Sequence, residues 1–298
     1  MELINHLYSK IMIYTQTTTG IRKIVVQNDN LKETIKNYIS DNKEIKGVLT
    51  VRSYNTRHKN LLEFLKFNNP KMDEIDSNFI LNFTTFLTLE KKFCQNTINR
   101  HIKFVKQVLN YFEIKNPKFQ PRKIKVEKDV ATTPKPLSQN QVELIKNCLL
   151  PDHLTTARDF FVFQLETGFH YIDLTQLNRK NFFENRYIKK YRSKTNIEAI
   201  LPLTGQALQI AEKYQYNFNR LQNSEYNFML KSIAHIADIN RHLVISDARD
   251  TFADYWGNIR GIALDDLAIM MGLANTKELK KYLRIREQRI LNAKNLWA

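Results

Sequence analysis

Residues 245–256, ISDARDTFADYW, place Arg249 between two carboxylates, Asp247 and Asp250. A planar guanidinium can hold two oxygen atoms at once and stays protonated at neutral pH, so it suits a carboxylate or a phosphate. For a lone arginine, an ion pair with a neighbouring aspartate is the favoured explanation. The question is why one arginine of a strongly basic chain is flanked by two carboxylates.

Three other side chains occur at separated points in the same half of the chain. His170 follows the glycine of TGFHYIDLTQL, Lys194 lies in a polar turn, and Tyr282 ends MMGLANTKELKKYL. Taken singly, each has an ordinary explanation: a hydrogen-bonded core histidine, an exposed turn lysine, and one of 13 tyrosines in the core or on the surface. Their order and spacing therefore carry the functional argument.

The composition favours a basic protein of two domains. The chain has 298 residues, of which 43% are hydrophobic, enough to bury a core. Lys and Arg total 46 against 30 Asp and Glu, a formal charge of +16, which makes nucleic acid the first partner to consider and an anionic membrane surface the second. Two isolated cysteines, Cys94 and Cys148, indicate neither a zinc site nor a disulfide framework. Without a membrane-spanning stretch or a secretory signal, a cytoplasmic protein is expected.

Helical periodicity runs from Leu31 to Phe112. Thr50 and Asp76 are predicted N-caps of two of these helices. In the last helix, the apolar face is predicted to be Ile98, Ile102, Val105, Val108, Leu109 and Phe112, and the polar face Asn99, Lys103, Lys106 and Asn110. A second polar stripe is Arg52, Asn55, Thr56 and Lys59. Such stripes are most often solvated faces, but two in one small unit favour phosphate contacts.

Four segments follow from these patterns: an N-terminal arm or short strand pair at 1–28, a helical domain at 29–116, a basic linker at 117–136 and a second domain at 137–298. The linker holds Arg122, Lys123 and Lys125. The second domain opens with a capping box, Ser138 and Gln141. It continues with a buried helix ended by Gly168, a short helix, and two strands at 186–191 and 197–203 around a polar turn. Helices are predicted after residue 203.

The motifs of this second domain, in their order and spacing, resemble those of the tyrosine recombinases, the phage-type integrases of mobile elements. The motifs are TGFH, the turn lysine, R-x-T-F-A, an M-G step, and a tyrosine about ten residues later. The preceding helices resemble that family's core-binding domain. The resemblance implies a mainly α protein, with a helical SAM-like core-binding domain and a mixed α/β catalytic domain that carries a small antiparallel sheet.

The resemblance also implies roles for the residues. Tyr282 would be the nucleophile that forms a 3′-phosphotyrosyl link to DNA, Arg249 would bind the scissile phosphate, and Lys194 would protonate the leaving 5′ oxygen. Asp247 and Asp250 would orient Arg249. No cofactor or metal is needed for such chemistry. Double-stranded DNA is the implied partner, contacted by Arg52, Lys59, Lys103, Lys106, Arg122, Lys123 and Lys125. Association with the nucleoid would follow.

Three positions depart from the family pattern. His170 stands where the family has its first arginine, Ser246 where it has a histidine, and Leu273 where it has a histidine or tryptophan. Loss of one preorganised donor costs on the order of 10²–10³ in rate. His170, which is positive part of the time, is the expected partial substitute, and His242 and Arg179 are weaker candidates.

Three functions remain open on the sequence alone. The first is a recombinase or integrase that cuts and rejoins DNA through Tyr282. The second is a catalytically impaired relative that only binds DNA, and the third is a type IB topoisomerase. Self-assembly on DNA through the C-terminal segment, with Ile285, Ile290, Leu291 and Trp297 as apolar anchors, is a further expectation.

Overall fold

The apolar face predicted for residues 98–112 forms the centre of the first of two hydrophobic cores, and all six of its predicted members are buried. In the computed structural model, the chain divides into two units, Met1–Ala131 and Thr132–Ala298. The structure describes residues 12–17, 20–25 and 29–292. Within these residues, no helix is both long enough and apolar enough to cross a membrane.

In the first unit, the described residues form an antiparallel strand pair and four α-helices. The strands are β1 (Met12–Thr17) and β2 (Gly20–Val25), with Met12 opposite Val25. The helices are α1 (Leu31–Asn42), α2 (Val48–Leu65), α3 (Ser77–Leu89) and α4 (Gln95–Lys115). Asp76 caps α3 as predicted, because its side chain accepts a hydrogen bond from the Phe79 amide at 2.8 Å. Thr50 was the wrong cap: α2 begins two residues earlier, after Gly47, so Thr50 lies inside its first turn.

The polar face predicted for α4 needs one correction. Asn99 is 2% exposed, whereas Lys103, Lys106 and Asn110 lie on the surface. The Asn99 amide donates to the Glu127 carbonyl at 2.9 Å and to Asp129 at 2.7 Å, so it fastens a later segment onto the helix. Residues 117–131 belong to this unit, and Ile124 is buried in its core among otherwise exposed basic residues.

The second unit is helical around a small antiparallel sheet. Its helices are α5 (Gln139–Asn147), α6 (Asp152–Thr167), α7 (Tyr171–Leu174), α8 (Gly205–Lys213), α9 (Asn223–Ile236), α10 (Ile245–Asp254), α11 (Leu264–Met270) and α12 (Glu287–Asn292). The strands are β3 (Phe182–Phe183), β4 (Tyr187–Tyr191) and β5 (Glu198–Pro202), in the order β3-β4-β5. The short strand β3 was not expected from the sequence. The predicted fold class, mainly α with a small antiparallel sheet, is confirmed.

Helix α6 is the centre of the second core and packs against α8, α9 and α10. It ends at Gly168, whose φ of +63° is the left-handed conformation that glycine adopts at low cost. The predicted capping box begins α5, with Ser138 accepting from the Gln141 amide and the Gln141 side chain accepting from the Ser138 amide. A π-helical turn, Tyr255–Ile259, follows α10, and a 3₁₀ helix, Thr276–Lys281, leads to Tyr282.

Candidate functional site

Arg249 lies in the middle of α10 and is 2% exposed. Its two terminal nitrogens donate to backbone carbonyls, Nη1 to Gly168 and Nη2 to Met271 at 2.9 Å. Its Nε is buried and has no hydrogen-bond partner. Within the described residues, no carboxylate forms a salt bridge with it. A buried charge without a counterion costs several kcal/mol, so this arginine is held in a state that favours an added anion.

The expectation that Asp247 and Asp250 orient Arg249 was wrong. Asp247 pairs with Arg241 at 2.7 Å and accepts from the Val244 amide at 2.9 Å. Asp250 accepts from the backbone amide of Lys135 at 3.0 Å. The reason is helical geometry: side chains one and two residues apart do not face each other on an α-helix. The two acids anchor neighbouring segments to α10, and carbonyl groups position the arginine.

Tyr282 lies directly over this arginine. The guanidinium carbon of Arg249 is 4.6 Å from the centre of the Tyr282 ring. The Tyr282 amide donates to the Leu279 carbonyl at 2.8 Å, and the ring packs partly buried against the core. Two of the predicted site residues, separated by more than thirty positions in the sequence, are therefore brought into contact.

Lys194 is exposed in the turn between β4 and β5. Asp173, which is 1% exposed at the end of α7, fixes this turn by accepting from both the amide and the hydroxyl of Ser193, each at 2.8 Å. Burial is the main cause that lowers the pKa of His170, and the positive charges of Arg249, Arg192 and Lys194 act in the same direction. The turn lysine thus belongs to the same neighbourhood as Arg249 and His170.

Sequence reasoning missed Arg192. Its Nε lies 2.5 Å from Asp173, and its Nη1 donates to the Met271 carbonyl at 2.5 Å, the same oxygen that accepts from Arg249. Two positive charges that donate to the same oxygen repel each other. Burial, and then the charge of Arg192, lower the pKa of Arg249 to about 10, which leaves it protonated at neutral pH.

Gly272 makes room for this arrangement. Its φ is +57°, and a Cβ at this position would lie 2.5 Å from the Arg192 Cγ. The M-G step of the sequence therefore has two physical roles here. The methionine supplies the carbonyl that both arginines share, and the glycine lets the Arg192 side chain pass.

His170 and Ser246, two of the three departures, are both exposed and line a cavity of about 170 Å³ next to Arg249. Desolvation, followed by the charges of Arg249 and Arg192, lowers the pKa of His170. This shift disfavours the positive form of the imidazole, which was expected from the sequence to contribute part of the time. The third departure, Leu273, packs against the hydrophobic core.

The two weaker candidates do not join the site. His242 is exposed and lies before α10, which begins only at Ile245, so the helix does not extend back to it. Arg179 donates to the Phe182 carbonyl at 2.9 Å, and its guanidinium carbon lies 4.9 Å from the centre of the Tyr216 ring.

The seven predicted DNA-contacting residues are all exposed. Three of them form ion pairs on their own surface: Lys103 with Asp129 at 2.8 Å, Arg122 with Asp76 at 3.4 Å and Lys125 with Glu127 at 3.3 Å. The other four, Arg52, Lys59, Lys106 and Lys123, have no salt bridge within the described residues. Exposed pairs of this kind contribute about 0–1 kcal/mol, so an approaching polyanion can replace the carboxylates at small cost.

Weak signals for the missed residues were present in the sequence. Asp173 is a carboxylate inside the otherwise apolar turn YIDL, and Arg192 ends a strand two residues before the turn lysine. Neither residue matched a motif. Their pairing depends on the sheet, which brings the turn against α7.

Comparison with known proteins identifies the fold. Residues 30–112 match the phage integrase SAM-like domain family. The Tn1549 transposon integrase in complex with transposon right end DNA superposes with a TM-score of 0.69 at 14% identity, over 90% of this chain and 100% of that chain.

Two further structures agree. A lambda integrase dimer bound to a COC′ core site gives a TM-score of 0.70 at 12% identity, over 87% of this chain and 97% of that one. The XerH site-specific recombinase bound to palindromic difH substrate gives 0.67 at 15% identity, over 89% and 84%. No curated protein sequence matches the chain.

Proposed function

We propose that this chain, which has the fold of the tyrosine recombinases and carries a phage integrase SAM-like domain, is a site-specific DNA recombinase or integrase that acts through Tyr282. The observation that carries the proposal is the contact between Tyr282 and the buried, uncompensated guanidinium of Arg249. A phenol held against an anion-binding group is the arrangement needed for attack on a phosphodiester.

The reaction would proceed by two exchanges at one phosphorus atom. The Tyr282 phenol oxygen bonds to phosphorus and loses its proton to water, while the bond from phosphorus to the 5′ oxygen breaks. Lys194 donates a proton to the departing 5′ oxygen. Attack of a 5′ hydroxyl on the 3′-phosphotyrosyl link then rejoins a strand and releases Tyr282. Because the phosphotyrosyl link conserves the bond energy, the two steps balance without a cofactor.

Double-stranded DNA is the proposed partner. The first unit, Met1–Ala131, is called the SAM-like unit because its residues 30–112 match that domain family. Phosphate contacts by its exposed cations would position the duplex, because such contacts fix register without reading sequence. Self-assembly on DNA is a further part of this proposal. Ile285, Ile290 and Leu291 are 45%, 65% and 54% exposed near the end of the described chain, and Trp297, the fourth predicted anchor, lies outside the described residues.

A DNA-binding protein with impaired chemistry is the second candidate. It is favoured by Ser246 and Leu273, which replace family side chains that can donate to phosphate, and by the packing of the partly buried Leu273 against the core. The two candidates share the fold and the partner, and they differ only in whether a covalent intermediate forms.

A covalent trapping experiment separates them. Duplexes selected by the full chain from a randomised library would be resynthesised with a 5′-bridging phosphorothiolate, whose thiol leaves without a proton and does not religate. A recombinase gives a protein–DNA adduct that survives denaturing electrophoresis. The Tyr282→Phe variant should give none, while the matched control Tyr187→Phe should react like the parent chain. Selected duplexes that bind tightly and never yield an adduct would support the binding protein instead.

A further inference from the structure

We propose that Arg192 and Arg249 together form a seat for a single phosphate group, with Arg192 supplying the second guanidinium at a site that has His170 in place of an arginine. This inference rests on the proposed function and deepens it, since the phosphate would be the scissile group of DNA. Arg192 belongs to no motif of the chain, and its role follows from its contacts alone.

The first argument is the balance of charge. Arg192 and Arg249 are both buried, and their terminal nitrogens converge on one oxygen, the Met271 carbonyl. Among the carboxylates of the described residues, only Asp173 pairs with either guanidinium, and it also accepts two hydrogen bonds from Ser193. One carboxylate therefore faces two buried cations. A bound anion would offset the repulsion between the two arginines and would supply the counterion that Arg249 lacks.

The second argument is the supply of hydrogen-bond donors. The Arg249 Nε is buried without a partner. The Arg192 Nε is likewise buried without a hydrogen-bond partner, although it lies 2.5 Å from Asp173 in an ion pair, and the Arg192 Nη1 donates to the Met271 carbonyl. A phosphodiester has two non-bridging oxygens, and guanidinium groups bind such oxygens through paired donors. His170 and Ser246 line the adjoining cavity, and each side chain can add one donor.

The third argument is rigidity. Asp173 holds one edge of the Arg192 guanidinium, the Met271 carbonyl holds another, and Gly272 leaves the space through which its aliphatic part runs. A donor that is fixed before the anion arrives loses little entropy on binding it. Arg192 is thus placed to bind rather than merely to fill space.

The first test uses inorganic phosphate and needs no DNA. Thermal unfolding of the full chain would be followed in phosphate and in sodium chloride of equal ionic strength. A ligand that binds only the folded state raises the melting temperature. The rise should be present in the parent chain and in Arg179→Met, which is the control for loss of one positive charge. It should be lost in Arg192→Met and Arg249→Met. An equal rise in Arg192→Met, or no rise in the parent chain, would overturn the proposal.

Arg192→Met leaves the buried Asp173 without its cation and could unfold the chain, so Arg192→Lys is the companion variant. It keeps a positive charge opposite Asp173 but lacks the planar fork. Phosphate should then bind about tenfold more weakly than to the parent chain. Unchanged binding by Arg192→Lys would show that the fork does not hold the anion.

The second test asks whether Arg192 acts on the phosphate charge during the reaction. Adduct formation would be measured on a phosphodiester and on a methylphosphonate, which lacks the negative charge. Loss of Arg192 should slow the reaction on the phosphodiester by on the order of 10²–10³ and on the methylphosphonate by much less. Equal losses on both substrates would mean a purely structural arginine. If the parent chain forms no adduct at all, the recombinase proposal fails, and the phosphate titration alone decides the seat.

Discussion

The two units of this chain carry positive charge in opposite ways. In the SAM-like unit, the cations of α2, α4 and residues 122–125 are exposed, and three of them have nearby carboxylates. In the second unit, Arg192 and Arg249 are buried, and among the described carboxylates Asp173 pairs with Arg192 and none pairs with Arg249. The contrast separates two tasks, since exposed charges attract a polyanion at long range, whereas buried donors act on one group at fixed geometry.

Removing one buried charge is the most direct test of this difference between exposed and buried cations. Arg249→Ala should slow adduct formation by on the order of 10²–10³, because a preorganised donor to the reacting phosphate is lost. DNA affinity should change less than about tenfold, since a single phosphate contact is removed. Rates and dissociation constants on the selected duplexes check both statements. Arg241→Ala, which removes the partner of Asp247, is the control and should keep the rate. A large loss of affinity with an unchanged rate would reverse the assignment of tasks.

The converse change removes exposed charges. Replacing Arg52, Lys59, Lys106 and Lys123 together by glutamine should weaken DNA binding and make its salt dependence shallower. Each phosphate contact contributes about −0.9 to the slope of log K against log salt, so four contacts account for a change of about 3 to 4. Binding measured between low and moderate salt gives the slope. The matched control replaces four other exposed lysines of the same unit by glutamine. These lysines lie outside the two polar stripes and are Lys43, Lys46, Lys66 and Lys92. An equal effect from that control set would mean that net charge alone determines binding.

A third and smaller effect concerns two histidines, one in each unit. Desolvation lowers the pKa of both His101 in the SAM-like unit and His170 in the site. His101 is locked between two partners: Nδ1 faces the Thr97 carbonyl at 2.9 Å and must donate, so Nε2 accepts from Asn60 at 2.9 Å. A second proton on Nε2 would face the Asn60 amide.

The pH dependence follows from that arrangement. As pH falls below the ordinary histidine range, the unfolded chain takes up a proton that folded His101 resists, so stability present near neutral pH is lost. The loss is at most about 1.4 kcal/mol per pH unit for each proton. Chemical denaturation between pH 7 and pH 5 measures it. His101→Gln should flatten the profile and His242→Gln, an exposed residue, should leave it unchanged; a profile unaltered by His101→Gln would contradict the assignment.

Local patterns predicted most of the fold. The apolar face of α4, the Asp76 cap and the Ser138 capping box depend on residues within a turn or two of one another, so the sequence displays them directly. Asn99 was misplaced because its partners lie 28 and 30 residues away. Periodicity assigns a face to a side chain, but it does not reveal which later segment will cover that face.

The site was predictable in part for the same reason. The spacing of Arg249, Lys194 and Tyr282 could be read along the chain, whereas the role of Arg192 depends on a carbonyl 79 residues away. Asp247 and Asp250 misled because proximity in sequence suggested contact, and the helix turns them away. Charge balance in a folded site depends on residues that are far apart in the sequence, so local spacing does not reveal it.

Gly272 and Arg192 occupy space that only one of them can fill. A side chain at 272 would have to adopt a positive φ and would meet the aliphatic part of Arg192 at 2.5 Å. Related chains should therefore vary these two positions jointly: where residue 272 gains a β-carbon, residue 192 should become short, and some other residue should provide the second positive charge.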